Sequence, residues 1–342
     1  MAYLLKSNSN KYVLKHKIGS GATCECYLGL KLNGNSSENF AIKIFEKNYY
    51  QFYSNEVSFL SELNENENEN SNILKLYEYG EGILTPLLNQ DNNNEVNNNN
   101  ESTNEKTVFY QVVEYAINGE LKDYVKDTST RIPEKISAKL FMKIVKAVKY
   151  LHENNIAHCD IKPENILLDK NFNPKINDFG FSQKFDGKNG NFLLRKRSRT
   201  PRYSSPDVRL AVTKGYNGIK NDIFSLGVLL FVITIGNFPF DSTTYSDDKY
   251  KFIIKGRYNK FWEFFKDINI SDEFKDLINN LLSLTPNKRL SIDEILKHPW
   301  LVKNLGNNYD NKIYNTTSNK DCLNHDTIDK EIINEFASRK KL

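Results

Sequence analysis

Cysteine is scarce: 342 residues carry four, Cys24, Cys26, Cys159 and Cys322. Four thiols in a chain this long build no disulfide framework, and they suit a reducing compartment. Long hydrophobic runs are missing as well. The longest, Ile223 to Gly236, spans 14 residues. That is too short for the ~30 Å hydrocarbon core of a bilayer, and it predicts a buried helix. Neither sign of charge dominates: 47 Lys+Arg against 43 Asp+Glu leave +4. This gives no electrostatic case for nucleic acid or an anionic membrane as a partner. The first ten residues hold no charged stretch followed by an apolar one, so no signal peptide is expected. Ala2 in place of Gly excludes N-myristoylation. The ending Arg339-Lys340-Lys341-Leu342 resembles a peroxisomal Ser-Lys-Leu signal only loosely. The expected location is cytoplasmic.

What is present is enough for a core: 39% apolar and 12% aromatic residues. A collagen-like or wholly disordered chain is excluded. At ~150 residues per domain the length fits two domains or one two-lobed one. Two stretches break the composition. Residues 64–72 alternate Asn and Glu, and residues 89–104 hold nine Asn in sixteen positions. Neither has apolar residues at a useful period, so both are expected to be disordered inserts in a folded domain.

The remaining segments are patterned. Residues 12–31 predict two strands joined by a Gly-containing turn, and 39–46 a third strand. Residues 48–63 carry helical spacing, with Phe52, Val57, Leu60 and Leu63 on the apolar side. Strands are expected at 73–79 and 107–115, then helices at 134–154, 220–235, 271–283 and 291–297. A small strand-rich part is followed by a larger helical part.

Four elements bear chemistry. Gly19-Ser20-Gly21-Ala22-Thr23-Cys24 lies in the first strand–turn–strand. Glycines there let backbone N–H groups approach phosphate oxygens, although a Gly-x-Gly turn alone is equally an ordinary hairpin. Lys43, between apolar neighbours in a strand, could face solvent by alternation; it gains meaning from an acidic partner. Glu56 and Glu62 on the following helix are available, and Glu56 is preferred. Next comes His158-Cys159-Asp160-Ile161-Lys162-Pro163-Glu164-Asn165, before the apolar strand Ile166-Leu167-Leu168. Pro163 forbids a helix, so this is a loop that concentrates an acceptor, a cation and an amide able to bind metal. Last, Asn177-Asp178-Phe179-Gly180 sets a carboxylate at a strand end, suited to a hard cation such as Mg²⁺.

In this order the four resemble the protein kinase family, whose pattern is a Gly-rich loop, a strand Lys, a helix Glu, His-Arg-Asp-x-Lys-x-x-Asn, Asp-Phe-Gly and Ala-Pro-Glu. Further landmarks agree: Ser205-Pro206-Asp207 at the Ala-Pro-Glu position, Asn221-Asp222-Ile223-Phe224-Ser225-Leu226-Gly227 opening the apolar helix, and the late Arg289. The resemblance covers residues 12–302. It implies an α+β, bilobal kinase fold with a small antiparallel-sheet N-lobe (12–113) holding one key helix. A hinge (114–119) and a larger, mostly helical C-lobe (120–302) follow. An N-terminal extension (1–11) and a C-terminal tail (303–342) flank them.

The activity implied is transfer of the ATP γ-phosphate to Ser or Thr hydroxyls of a protein substrate. Lys43 would hold the α/β-phosphates and Glu56 would hold Lys43. Asp160 would accept the hydroxyl hydrogen and Lys162 would neutralise the transferring group. Asn165 and Asp178 would bind Mg²⁺. Gly19, Ser20, Gly21, Ala22, Thr23 and Cys24 would cover the phosphates. Adenine would lie against Ile18, Cys26 and Ala41, bonded by backbone at Glu114 and Ala116, with Val113 as a small gatekeeper. Lys162 and Thr200 resemble the Ser/Thr rather than the tyrosine branch. Glu120 and Glu164 match positions that in related kinases contact basic residues upstream of the acceptor. The look is that of the calcium/calmodulin-dependent group, yet 303–342 shows no basic amphipathic helix for calmodulin. A monomer is expected, with neither nucleic acid nor membrane as partner.

The sequence also departs from the pattern. Cys24 replaces the third glycine and Cys26 the valine after it. Cys159 replaces the arginine that in the family binds an activation-loop phosphate, and the loop at Arg195–Arg199 is itself basic. Asp207 stands for the Glu that pairs with Arg289, one methylene shorter. A nucleotide-binding scaffold without transfer and a small-molecule kinase are the rival readings. The complete set Lys43, Glu56, Asp160, Lys162, Asn165 and Asp178 argues against the first.

Overall fold

Alternation of apolar and polar residues makes the first part of the chain a sheet. The computed structural model describes residues 2–32, 38–65, 72–87, 105–125, 131–185, 193–194, 201–210, 215–306 and 329–340. These fall into two compact units, one of Met1–Glu65 and Leu74–Ala116, the other of Asn66–Ile73 and Ile117–Leu342.

The first unit holds six strands: β1 (Ala2–Lys6), β2 (Lys11–Ser20), β3 (Cys24–Lys31), β4 (Asn39–Phe45), β5 (Leu76–Leu87) and β6 (Lys106–Glu114). They pair antiparallel in the order β1-β2-β3-β4-β6-β5, and β1 returns to β5 with Leu5 opposite Leu84, closing a barrel. Leu5, Leu14, Ile42, Ile44, Val108 and Val112 fill it. Glu78 ties its tyrosines together, accepting the hydroxyls of Tyr12 (2.6 Å) and Tyr110 (2.8 Å). Burial alone raises the Glu78 pKa, but hydrogen bonds from Ser7, Tyr12, Tyr110 and Asn10 outweigh it and hold the carboxyl below its usual range. One helix, α1 (Tyr50–Asn64), packs Tyr53 and Val57 on Phe45 at the outer face of β4.

Two expectations change here. The segment 1–11 is part of the folded unit, since Leu4 and Leu5 gain partners on both sides from β2 and β5. The ends of the insert 64–72 are structured too. Asn64 accepts the N–H of Leu76 (3.1 Å), and buried Asn72 donates to the carbonyl of Pro174 (2.8 Å). A short amide side chain finds local backbone partners that composition does not reveal. Residues 66–71 and the insert 89–104 lie outside the described residues, as do Arg195–Arg199, Thr200 and Cys322.

The second unit is helical: α2 (Lys122–Val125), α3 (Glu134–Glu153), α4 (Gly218–Ile235), α5 (Tyr250–Ile254), α6 (Tyr258–Trp262), α7 (Asp272–Leu281), α8 (Ile292–Leu296), α9 (Pro299–Leu305) and α10 (Lys330–Arg339). Three small strand pairs accompany them: β7 (Ile156–Ala157) with β10 (Gln183–Lys184), β8 (Ile166–Leu168) with β9 (Pro174–Ile176), and β11 (Leu193–Leu194) with β12 (Tyr216–Asn217). The apolar run is α4, which is buried on all sides, as its composition predicts. Gly227 lets α7 approach it, because a Cβ there would stand 2.7 Å from that of Leu281. Glu134 at the start of α3 binds both Ser271 N (2.8 Å) and Trp300 Nε1 (2.7 Å), fastening α7 and α9. The tail holds an amphipathic helix after all, α10, with Ile332 and Phe336 at i,i+4 on its buried face. Its outer residues mix both charges, so it is not a basic helix.

Barrel closure depends on a missing side chain. A Cβ at Gly82 would stand 2.9 Å from the carbonyl oxygen of Lys6 and 3.1 Å from Leu5 Cδ1. Gly82→Ala should push β1 off β5 and cost about 1–3 kcal/mol, the usual penalty of overpacking. Thermal unfolding measures it; an unchanged Tm would show that β1 contributes nothing to the unit.

Candidate active site

In the first unit, strand alternation sorts the residues of β4. Ile42 and Ile44 point into the barrel, so Ala41 and Lys43 share the other face. In register, Lys43 lies opposite Cys26 on one side and Gln111 on the other. Helix α1 brings Glu56 to this row: Lys43 Nζ reaches Glu56 Oε1 at 2.6 Å, with both side chains buried. Glu62, the other acid considered, is not the partner in this bond. Burial raises the Cys26 thiol to about 11, with the Lys43 ammonium working in the opposite direction.

The Gly-rich segment is a tight hairpin. Gly21 N donates to Cys24 O (2.9 Å), Gly19 pairs with Cys26 and Ser20 with Glu25, and Ala22 and Thr23 occupy the tip. Cys24, at the third glycine position, packs against the cluster of Phe45, Tyr53 and Val57. Ile18 is exposed near the end of β2, and Ala41 is buried opposite Val113. Glu114 N bonds Lys75 O (2.9 Å), and Ala116 ends the unit.

The second unit carries the other set. Asp160 is buried, and its Oδ2 accepts from Lys162 Nζ (2.6 Å) and Asn165 Nδ2 (3.0 Å). Asn165 Nδ2 also binds the Asp160 carbonyl (2.8 Å), so one amide staples the loop shut. Asn177 N donates to Asn165 O (2.9 Å), which sets Asp178 beside that loop. Asp178 has φ +64°, and its Oδ1 accepts the Gly180 N–H at 3.3 Å. Phe179 is fully buried, edge-on to His158 at 5.1 Å.

Two departures from the pattern acquire a geometry. Asp207 reaches Arg289 at 2.8 Å despite its shorter side chain. Arg289 is buried and also donates to the carbonyls of Ser283 (2.9 Å) and Lys220 (2.9 Å). Cys159 adopts φ +64° and joins the apolar cluster of Ala157, Phe185, Leu194 and Tyr216. Burial, with Asp222 adding to it, pushes its thiol well above the usual range.

Asp222 was quoted in a motif but given no role by the sequence reading. From inside α4 its carboxylate accepts the backbone N–H groups of His158 (Oδ2, 2.9 Å) and Cys159 (Oδ1, 2.9 Å), and it contacts His152 Nε2 (3.0 Å). An acid immediately before the long apolar stretch was the available signal.

The chain belongs to the protein kinase domain family, which matches residues 12–301. It is 37% identical to "Probable serine/threonine-protein kinase HSL1" of Saccharomyces cerevisiae, over 58% of this chain and 12% of that protein. It is 37% identical to "CBL-interacting serine/threonine-protein kinase 20" of Arabidopsis thaliana, over 58% of this chain and 43% of that protein. A third relative, "CBL-interacting serine/threonine-protein kinase 7" of Arabidopsis thaliana, is 31% identical over 86% of this chain and 61% of its own length. The chain thus spans less than two thirds of the length of each of these relatives.

Gln111 was missed as well. It is fully buried on β6, and neither end of its amide has a hydrogen-bond partner among the described residues. An unsatisfied buried amide costs about 1–3 kcal/mol. Gln111→Met keeps the length and removes the polar atoms, so it should stabilise the protein by an amount in that range. A Tm below wild type in a thermal melt would refute this.

Proposed function

We propose that this chain is an ATP-dependent Ser/Thr protein kinase. The observation that carries the reading is the cluster Lys162–Asp160–Asn165, a buried carboxylate fixed by a cation and an amide. Phosphoryl transfer needs positioning and charge neutralisation more than covalent chemistry. The substrate hydroxyl oxygen bonds to the γ-phosphorus, the bond to the β–γ bridging oxygen breaks, and ADP leaves. Asp160 takes the hydroxyl hydrogen. Lys162, already 2.6 Å from Asp160, meets the negative charge of the group in transit.

Lys43 is held by Glu56 for the α/β-phosphates, and the hairpin Gly19–Cys24 offers backbone N–H groups to the same oxygens. Cys24 spares that clamp by packing on the α1 side. Ile18, Cys26 and Ala41 provide the apolar contact for adenine, with the backbone of Glu114 and Ala116 for its edge.

Asn165 and Asp178 fit Mg²⁺ by their donors. The amide nitrogen of Asn165 is used by Asp160, which leaves Oδ1 as the ligand atom, and Asp178 adds a carboxylate. Both are hard oxygen ligands. Among the described residues no group of three or more His, Cys, Asp or Glu is placed to hold a metal. The bound ion supplies neutralisation of the phosphate charge.

The acceptor class follows from Lys162 in the catalytic loop and from relatives named as serine/threonine kinases. A preference for basic residues upstream of the acceptor is supported by Glu164, whose Oε2 is buried without a partner among the described residues. Glu120 pairs with Lys122 at 3.2 Å, a half-exposed contact that a guanidinium can replace. The thiol usage supports a cytoplasmic location. No observation favours a scaffold without transfer.

Two expected outcomes test the reading. Asp160→Asn should abolish most of kcat while leaving ATP affinity near wild type. Lys43→Met should cost on the order of 10²–10³ in rate, as for loss of one preorganised electrostatic donor. Wild-type protein that binds ATP yet phosphorylates no Ser/Thr peptide in a radiolabel array would sink the proposal.

Regulation follows from Cys159. The catalytic loop offers no cation at that position for an activation-loop phosphate, because the side chain there is an apolar-packed thiol. Phosphorylation of residues 181–199 should therefore matter little. A charge exposed to solvent gains only ~0.2–1 kcal/mol from pairing with phosphate. Phosphatase-treated enzyme and Ser198→Ala should both keep most of the wild-type rate. A hundredfold drop, about 2.7 kcal/mol of barrier, would assign the missing arginine's role to another residue.

A further inference from the structure

The tail helix α10 is seated on the segment that carries Glu120. Its buried face presents Phe336, whose ring centroid lies 5.3 Å from that of Tyr124 and 5.9 Å from that of Phe172. Tyr124 and Phe172 meet edge-on at 5.8 Å, so three rings from α10, α2 and the β8–β9 turn close on one another. The polar contacts choose the same targets. Lys340 Nζ reaches Asn118 Oδ1 at 2.8 Å, and Arg339 donates to the Tyr124 carbonyl. Further along, Lys139 on α3 binds Asp329 (3.0 Å) and Glu331 (3.1 Å), which fixes the helix in register.

Those targets, Asn118 and Tyr124, bracket a short backbone ladder in sequence. Asn118 N bonds Leu168 O (3.1 Å), Leu168 N bonds Gly119 O (2.8 Å) and Leu121 N bonds Ile166 O (2.8 Å). Glu120 sits on this ladder, bridged to Leu167. Beside it, β8 directly follows the loop that holds Asp160 and Glu164. Tyr124 closes one end by donating its hydroxyl to Asn118 O at 2.8 Å. Phe172, in the turn after Leu168 at the same end, has φ +58°, a left-handed conformation that a bulky side chain avoids unless its surroundings impose it. Helix α10 packs its Phe336 against both Tyr124 and Phe172.

We propose that α10 is a positioning element for substrate recognition: Phe336 clamps Asn118–Tyr124 onto β8 and thereby fixes Glu120 relative to Glu164. The proposal rests on the reading that these two carboxylates receive basic residues upstream of the acceptor. A carboxylate already held in place binds a guanidinium without an ordering cost, and release of the clamp restores that cost. The loss falls on peptide binding, since Phe336 touches none of the residues assigned to ATP or to transfer.

The test uses the full chain and two peptides that differ only in Arg or Ala upstream of the acceptor serine. For Phe336→Ala, amide hydrogen exchange at residues 118–124 should rise by about tenfold, and KM for the Arg peptide by a similar factor. The KM for ATP, kcat, and kcat/KM for the Ala peptide should stay within about twofold, and Phe336→Leu should recover most of the loss. Lys340→Met, which leaves the buried face intact, should move the same quantities the same way by about two- to threefold. It keeps the test open if Phe336→Ala does not fold. Unchanged exchange at 118–124 in the folded variants overturns the clamp. A parallel fall in rate with both peptides overturns it too, because that is what simple destabilisation gives. Glu120→Ala with undiminished Arg preference, beside raised exchange in Phe336→Ala, would instead reject the substrate reading and leave the clamp standing.

Discussion

The buried carboxylate of Asp222 is the constraint on which the catalytic half of the second unit depends. It sits in the most apolar helix of the chain and is fully buried. A charge there is tolerated only when it is fully hydrogen-bonded. Two backbone N–H groups and a histidine ring meet that requirement, and all come from the segment around the catalytic loop. The exchange works in both directions. The loop satisfies the acid, and the acid forces the loop into the left-handed turn at Cys159 that delivers Asp160. The same end of α4 reaches further: Asn221 accepts the N–H of Ser205, and Ser225 donates to the carbonyl of Tyr203. One helix start therefore organises both the catalytic loop and the segment before Asp207.

The first unit solves a different problem, the burial of an ion pair. Lys43 and Glu56 lie on a strand and a helix that meet only because β4 has two faces with different duties. Its even residues fill the barrel, and Phe45 on the other face receives α1. Helix α1 is held by the aromatic contact of Tyr53 with Phe45 and Phe109, ring centroids 5.6 and 5.0 Å apart. The position of Glu56 is thus an aromatic packing result before it is an electrostatic one. Cys24 joins that packing, so a side chain where glycine is usual adds contact on the α1 side.

Much of the site was legible in the sequence because its chemistry restricts residue types within short loops. The run from His158 to Asn165 and the Asp178 turn depend on local bonds, such as the Asn165 amide on Asp160, that need fixed spacing. The apolar helix α4 was legible from composition alone. Elements stabilised by distant partners were not. Strand β1 is five residues long and is defined by β2 and β5, the latter some eighty positions away. Helix α10 has two buried apolar residues, too few to stand out in a polar tail. Asn64 and Asn72 were hidden by the repetitive composition around them, although their amides close turns on α1 and β9. Gln111 broke the apolar pattern of β6 in plain view, and its meaning needed the cross-strand register with Lys43.

Cys159 and α10 bear on the same question, how the second unit is held in one arrangement. In a kinase with arginine at that position, the loop cation is uncompensated until a phosphate arrives, and order is supplied from outside. Here the position is apolar and the loop is already ordered from within: Asp222 binds its backbone, and β11 pairs with β12 close to the Cys159 side chain. Nothing in that arrangement waits for added charge. A smaller contact lies elsewhere, in the ladder 118–121 with β8, which three hydrogen bonds and an aromatic trio maintain. That ladder is short, partly exposed, and covered by a helix reached through residues 307–328. Elements of low local stability are where binding can be tuned. The architecture thus places the short, partly exposed contact away from the Asp160 loop, which is held by a buried acid, in the segment around Glu120.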